Sequence, residues 1–401
     1  MSEVITTASA ALMEREHSVV FQTYRRIPVA IDHAVGARIV DADGRSYLDM
    51  LGGIAVNALG HSHPKIITAI EQQIRKYMHV SNVFYQEPQV VLAEQLVRAS
   101  GYPRVFFANS GAEATDGALK LARRYGSARG RYDVIGFTGG FHGRTYGALS
   151  LMDKPLYKDG MGPFLPNTLV LPFNDVDALE SRVDENTCAV MIEFLQGEGG
   201  IQSATQEFVD ALVKLKETYG FLIIADEVQS GIGRTGDFFS FEMYGVRPDI
   251  ITVAKAMGGG LPLGAILATE EAAALLDKGM HGTTYGGNPV ACVAGSVVVE
   301  EVCNGLMDHV REIGSYMQEQ LEALRSAFPE QIREIRGRGC MQGVVLNSDA
   351  APYVQDLLKQ GVIANATAGN VIRLVPPFII TESDVDELLS ALRTVMSVPR
   401  G

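Results

Sequence analysis

The sequence predicts an α/β fold: a large domain in which helices cover a mixed sheet, and a small α+β domain assembled from both ends of the chain. Short apolar runs at 134–138, 189–193, 221–225, 250–254 and 264–268 alternate with helical stretches, the rhythm of a sheet between helix layers. From about Asn288 the character changes to long striped helices with strands between them. A length of 401 residues also exceeds what a single hydrophobic core organises. The expected division is residues 1–50 as an N-terminal segment joining the small domain, 51–288 as the large domain, and 289–401 as the C-terminal small domain.

The elements follow in order. Residues 37–49 read as a hairpin turning at Asp43-Gly44. Residues 104–109 read as a strand that enters a Ser110-Gly111 turn, followed by a helix with Ala118, Leu121, Ala122 and Tyr125 on one side. Past Asn288, Val310, Ile313, Met317, Leu321, Leu324 and Phe328 stripe one long helix. Val385, Leu388, Leu389, Leu392, Val395 and Met396 stripe the last, with Thr381 as its cap. Residues 343–346, 362–364 and 371–375 look like strands between them.

The chemistry begins at Lys255, which ends the apolar run 250–254 and precedes Gly258-Gly259-Gly260. A buried ammonium is costly unless it loses its proton or its nitrogen is covalently engaged. Lys255 therefore reads as a reactive amine, of the kind that forms an imine with an aldehyde cofactor. A lysine snorkelling to water from a strand end is the plain alternative. Asp226 ends the run before it, and ligands of open α/β sheets collect at that edge. A carboxylate there can keep a pyridine nitrogen protonated while the lysine carries the imine, the electron-sink arrangement of pyridoxal phosphate. Read instead as a metal-binding pair, Asp226-Glu227 would need a GxxxxGK[ST] phosphate loop, and the chain contains no Gly-Lys dipeptide. Ser110, Gly111 and Ala112 offer a hydroxyl and free backbone N–H groups at a helix start, an anion seat or an ordinary cap.

Composition narrows the classes. A net charge of −13 argues against a nucleic-acid partner. The four cysteines form no CxxC pair and read as thiols of a reducing compartment, with no metal site. The N-terminus lacks a signal-like apolar core and no uninterrupted apolar run reaches the eighteen residues of a membrane span, so a cytoplasmic protein with no membrane partner is expected.

Taken in order, Ser110-Gly-Ala-Glu-Ala, Gly140-Phe-His-Gly-Arg-Thr145, Gln196-Gly-Glu-Gly-Gly200, Asp226-Glu-Val-Gln-Ser-Gly-Ile-Gly-Arg-Thr-Gly236, Lys255-Ala-Met-Gly-Gly-Gly260 and His281-Gly-Thr-Thr-Tyr-Gly-Gly-Asn-Pro289 resemble the class III, fold type I aminotransferases. The nearest group is that of the acetylornithine aminotransferases. The likeness runs from about Gly36 to Pro377.

The resemblance implies a mostly parallel seven-stranded sheet, pyridoxal 5'-phosphate as cofactor, and a homodimer with shared active sites. It implies Phe141 stacked on the cofactor ring, Gln229 at the ring hydroxyl, and Thr284 reaching the phosphate of the neighbouring subunit. Arg144 would hold the carboxylate at the far end of the substrate, and Arg373 the one beside the reacting carbon. Glu198 would pair with Arg373 and mask it when an ω-amine enters; here Glu193-Phe-Leu-Gln196 replaces the more usual Glu-Pro-Ile-Gln, which changes backbone stiffness ahead of it. Asn82 and Tyr85 would shape the pocket for the acyl group. The implied reaction passes the terminal amino group of N-acetylornithine to 2-oxoglutarate in a ping-pong cycle. Ornithine, succinylornithine, 4-aminobutyrate or a carrier-linked lysine precursor are alternative donors, aminomutase chemistry is an alternative reaction, and a non-catalytic cofactor-binding protein is the reading from another class.

Overall fold

The computed structural model describes residues 7–398, so the first six residues of the N-terminal segment lie outside it. Its centre is a seven-stranded sheet in the order Arg104–Ala108, Gly264–Ala268, Ile250–Val253, Leu222–Asp226, Thr187–Ile192, Asp133–Phe137 and Thr168–Leu171. Gly264–Ala268 runs antiparallel to both of its neighbours, while the pairings from Ile250–Val253 to Thr168–Leu171 are parallel. Every residue of Leu222–Asp226 is buried, which is why that strand reads as a continuous apolar run without alternation. The parallel register sets Asp226 beside Thr252, three residues ahead of Lys255.

Two four-stranded sheets, and a two-stranded ribbon pairing Leu195–Gln196 with Gln202–Ser203, accompany the central sheet among the described residues. Ile31–Val35, Arg38–Asp41 and Ser46–Asp49 form an antiparallel meander, which the short strand Val362–Ile363 joins in parallel, so both chain ends meet in one sheet. Ile332–Arg338, Met341–Leu346, Val371–Leu374 and Asn365–Thr367 form the other, antiparallel throughout. Helix Met307–Ala327 buries the striped residues Val310, Ile313, Met317, Leu321 and Leu324 against it and against the last helix, Glu382–Met396, while Phe328 is only half-buried just beyond its end. Thr381 and Asp384 form a capping box at the start of Glu382–Met396.

Six described strands lie outside the sequence expectations, among them Ile31–Val35 and the two-residue strands Leu195–Gln196 and Gln202–Ser203. Thr168–Leu171 is a half-buried edge strand between Pro166 and Pro172, too short to show a period. Ile332–Arg338 carries charge at Arg333, Glu334, Arg336 and Arg338, and a register shift between Ile332 and Glu334 breaks any alternation. Asn365–Thr367 is three residues long. The N-terminal helix Ala8–Val19 was also not foreseen; it buries only Ser9 and so carries no apolar stripe.

Among the described residues, one helical run, Pro289–Ala327, is long and apolar enough by composition to cross a membrane. Its first part packs on helices Pro64–Ile74 and Glu87–Ser100, its second on the C-terminal sheet, and Asn304 and Gly305 break the helix between the two. Ala291, Ala294, Val298 and Val299 are buried by these contacts, while Val290, Val293 and Val297 are only half-buried.

Candidate active site

Lys255 lines a cavity of about 470 Å³ just past the carboxyl end of Ile250–Val253. Its backbone is left-handed, with φ +44°. That conformation costs a residue with a side chain about 1 kcal/mol and persists where the surroundings impose it. Burial, and then the charge of Arg373, push the ammonium down to about 8 against the pull of Glu198, Asp226 and Glu193. A free amine is therefore accessible near neutral pH.

Asp226 is buried on the neighbouring strand, where one carboxylate oxygen lies 2.7 Å from His142 Nδ1 and the other accepts the Val228 N–H at 3.1 Å. Burial works against a charged His142 ring, but the hydrogen bond to Asp226 and the charges of Asp226 and Glu193 overcome it and raise its proton affinity. Glu193 follows the next strand, Thr187–Ile192, and accepts the Phe141 N–H at 3.0 Å. Burial, then the nearby Asp226 charge, raise its carboxyl to about 7. His142 and Glu193 were quoted in the sequence motifs without a role. The available signal was position, since Glu193 follows an apolar run as Asp226 closes one.

Ser110 caps the helix Gly111–Ser127, its hydroxyl accepting the Glu113 N–H at 3.2 Å. Ser110, Gly111 and Ala112 all line the cavity, and first-turn N–H groups have no acceptor within their own helix. Close packing explains the glycines here. A Cβ on Gly111 would stand 2.6 Å from Val228 Cγ1, and one on Gly143, at φ +130°, would stand 2.6 Å from the Ala112 Cβ. Val228 and Phe141 both line the cavity, and Val228 had no place in the sequence reading.

Arg373, on Val371–Leu374, is 1% exposed. Its guanidinium pairs with Glu198 and donates to Gln229 Oε1 at 3.2 Å and to Asn365 Oδ1 at 3.1 Å. Burial alone would raise the Glu198 carboxyl, but Arg373, with smaller help from Lys255 and Lys154, holds it below the usual range. The Phe194-Leu195 departure leaves this pair intact. Phe194 is buried against Tyr244 and Phe241, ring centroids 5.5 and 6.1 Å away, so aromatic packing holds the turn where proline more often would. Arg144 is exposed and also lines the cavity.

Asp226, Gln229, Glu198 and Arg373 are packed behind the cavity wall rather than lining it, and Asn82, Tyr85 and Thr284 stand away from the cavity of their own chain. Tyr85 and Thr284 are exposed to solvent. Asn82 is tied to the 283–286 loop, donating to Gly286 O at 2.9 Å and accepting from Gln89 at 2.7 Å. Gln229 is buried on Arg373.

The donor set fits pyridoxal phosphate: an amine of lowered proton affinity, a buried carboxylate within hydrogen-bonding distance of an imidazole, flat apolar side chains, and an anion seat at a helix start, most of them around one cavity. The sheet and this edge are those of a fold type I, pyridoxal-phosphate-dependent transferase. Comparison with known proteins gives the family. The model for "Aminotransferase class-III" matches residues 19–396. The acetylornithine aminotransferase of Caldanaerobacter subterraneus subsp. tengcongensis is 45% identical over 95% of this chain and 98% of its own length. The ornithine aminotransferase structure from Toxoplasma gondii ME49 superposes with a TM-score of 0.93 at 29% identity, covering 97% of this chain and 94% of that one. The N-acetylornithine aminotransferase structure from Stenotrophomonas maltophilia K279a superposes with a TM-score of 0.82 at 33% identity, covering 96% of this chain and 98% of that one. The chain belongs to the class III aminotransferases, pyridoxal-phosphate enzymes that move an amino group between an amino donor and a keto acid.

Proposed function

We propose that this aminotransferase takes the terminal amino group of N-acetylornithine and passes it to 2-oxoglutarate, giving N-acetylglutamate 5-semialdehyde and glutamate. The observation that carries the reading is the buried Arg373–Glu198 pair, set against the 40–45% identity to acetylornithine aminotransferases. An ω-amine donor presents no carboxylate beside the reacting carbon, so a closed pair lets it enter without leaving a bare guanidinium. Glutamate does present one, and displaces Glu198 to form a bidentate bond with Arg373. Two ion pairs of similar energy make a switch that small differential contacts can move.

Pyridoxal phosphate supplies an aldehyde for the substrate amine and a ring that accepts the electron pair left when the substrate carbon loses its proton. Lys255 Nζ holds the cofactor between turnovers and carries the proton from the carbon bearing the amine. Asp226 would keep a proton at the ring nitrogen, with His142, 2.7 Å away, orienting its carboxylate. Ser110, Gly111 and Ala112 would hold the phosphate. Phe141 and Val228 line the cavity and would exclude water from the ring, and Gln229, which accepts from Arg373, would also meet the ring hydroxyl. Arg144 binds the carboxylate remote from the reacting carbon, which both substrates possess.

A homodimer completes the site. Asn288 reaches Met78 O at 3.0 Å, and the His79 and Tyr285 ring centroids lie 5.1 Å apart. These ties draw Met78, Val83, Phe84, Tyr85 and Tyr285, all exposed, into one apolar region beside Thr284. A patch of this kind supports a surface covered by a second copy, with Thr284 delivered to the partner's phosphate seat and Asn82 and Tyr85 to its acyl pocket. The large domain (51–288) and small domain (1–50 with 289–401) are proposed as the units that frame the site.

The test is to measure the half-reactions separately by stopped flow. Glu198→Ala should leave the glutamate half-reaction steady or faster and weaken the N-acetylornithine half-reaction. Arg373→Ala should slow the glutamate and 2-oxoglutarate half-reactions about a hundredfold, roughly 3 kcal/mol, and spare the donor. Equal losses in both halves for Glu198→Ala would rule out the masking role. With 2-oxoglutarate as acceptor, kcat/KM should rank N-acetylornithine above ornithine and 4-aminobutyrate; another order would reassign the donor.

A further inference from the structure

Arg144 is an exposed guanidinium at the cavity with no carboxylate at ion-pair distance among the described residues; its close neighbours are rings. Its Cζ stands 3.5 Å from the Tyr157 ring centroid and 5.5 Å from that of Phe141. The two rings meet edge to face at 89°, centroids 6.1 Å apart. Arginine has long, freely rotating bonds, and an exposed one held only by water samples many positions, each of which must be given up when a carboxylate binds. A guanidinium lying on an aromatic face keeps its N–H groups at the rim, where they are free to meet a carboxylate bidentately.

The platform is itself fixed. Tyr157 closes the single turn Pro155–Tyr157, whose proline sets the backbone angle at the start. Tyr157 N–H donates to Lys154 O at 3.0 Å, Lys158 N–H donates to Pro155 O at 2.7 Å, and the Lys158 ammonium donates to Met152 O at 2.8 Å. Lys154 Nζ lies 4.9 Å from the centroid of the same ring, so two cations gather on Tyr157 in a chain whose net charge is −13. A local positive field at the cavity mouth draws anionic substrates in against that background.

We infer that Tyr157 is a positioning residue for Arg144, holding the guanidinium flat so that the enzyme selects substrates by the carboxylate at the end remote from the transferred amine. The inference rests on the proposed role of Arg144. It assigns Tyr157 a part in carboxylate affinity and none in the proton transfer at Lys255.

The experiment uses the cofactor-loaded enzyme and glutarate, a dicarboxylate with neither amine nor carbonyl, whose binding is read by calorimetry and by the change in cofactor absorbance. Tyr157→Leu should weaken glutarate about tenfold and raise KM for N-acetylornithine and 2-oxoglutarate by a similar factor, with kcat within about twofold. Tyr157→Phe keeps the ring and should stay within about twofold of the parent. In an Arg144→Ala background, Tyr157→Leu should cost nothing more, because the ring acts only through the guanidinium. Additive losses, failure of phenylalanine to restore affinity, or unchanged glutarate binding in Tyr157→Leu would each overturn the inference. If Arg144→Ala itself leaves glutarate binding unchanged, the failure lies in the role of Arg144; if it weakens binding and Tyr157→Leu does not, only the platform fails. Melting curves and cofactor absorbance separate these outcomes from misfolding.

Discussion

Asp226 and Glu227 are adjacent in sequence and almost equally buried, at 3% and 1% exposed, yet their surroundings share little. Asp226 faces the imidazole of His142, a group able to carry positive charge, and its field reaches Lys255. Glu227 faces its own loop, accepting hydrogen bonds from Ser230 Oγ at 2.8 Å, Ser240 N at 3.0 Å, Ser240 Oγ at 2.6 Å and Phe241 N at 3.1 Å. All four donors are neutral. They satisfy the oxygens but do not neutralise them, so burial dominates and raises the Glu227 carboxyl to about 7. Neutral hydrogen bonds leave Glu227 a structural clamp, whereas Asp226 has a chargeable partner, His142, which itself lines the cavity.

The largest effects should fall on the cavity side of that divide. Lys255→Ala should reduce turnover at least a thousandfold while the protein folds and holds cofactor weakly through the 110–112 seat. Borohydride on the loaded parent should fix the cofactor mass to the peptide containing Lys255; labelling of any other lysine would reassign the amine. Asp226→Asn should retain cofactor but lower kcat at least tenfold, about 1.4 kcal/mol, since an amide cannot hold the ring nitrogen protonated. Glu227→Gln should leave kcat within about threefold. A loss in Glu227→Gln as large as in Asp226→Asn would erase the distinction.

Sequence alone could not draw it. Asp226 and Lys255 were legible because each ends an apolar run, and strand ends define the ligand edge of such a sheet. Glu227 was visible only as one half of a rejected metal pair, because Ser230 and Ser240 come to it through a loop whose path no periodicity reports. Arg373 reads from its segment alone as either a strand-surface residue or a ligand; that it is buried depends on Glu198, Gln229 and Asn365 arriving from other segments. Tyr157 lies in a one-turn helix beyond the reach of pattern reading. In the fold, the sheet's central strands were legible from their unbroken apolar runs. The edge strands Thr168–Leu171 and Ile332–Arg338 were not, because one is short and half-buried and the other is charged and bulged.

An effect on stability with little on turnover isolates Glu227 by its proton. Its carboxyl titrates near its ordinary 4.5 in the unfolded chain and at about 7 in the folded one, so between those values the folded state holds a proton that the unfolded state has lost. Stability contributed by the protonated form is therefore complete below about pH 4.5 and lost as pH rises through 7, up to about 3 kcal/mol in all. Glu193, also raised to about 7, adds a slope of the same sign. Lys255, lowered to about 8 from 10.5, contributes in the opposite direction, gaining stability as pH rises between those values. Denaturant midpoints of the cofactor-free protein at pH 5, 6, 7 and 8, compared with those of Glu227→Gln, cancel the carboxylates common to both. The variant should be less stable by a roughly constant amount for its altered hydrogen bonds, and should lose a visible part of the decline between pH 5 and 7. If its decline parallels that of the parent, Glu227 is ionised throughout, and neutral donors alone are enough to keep a buried carboxylate charged in this fold.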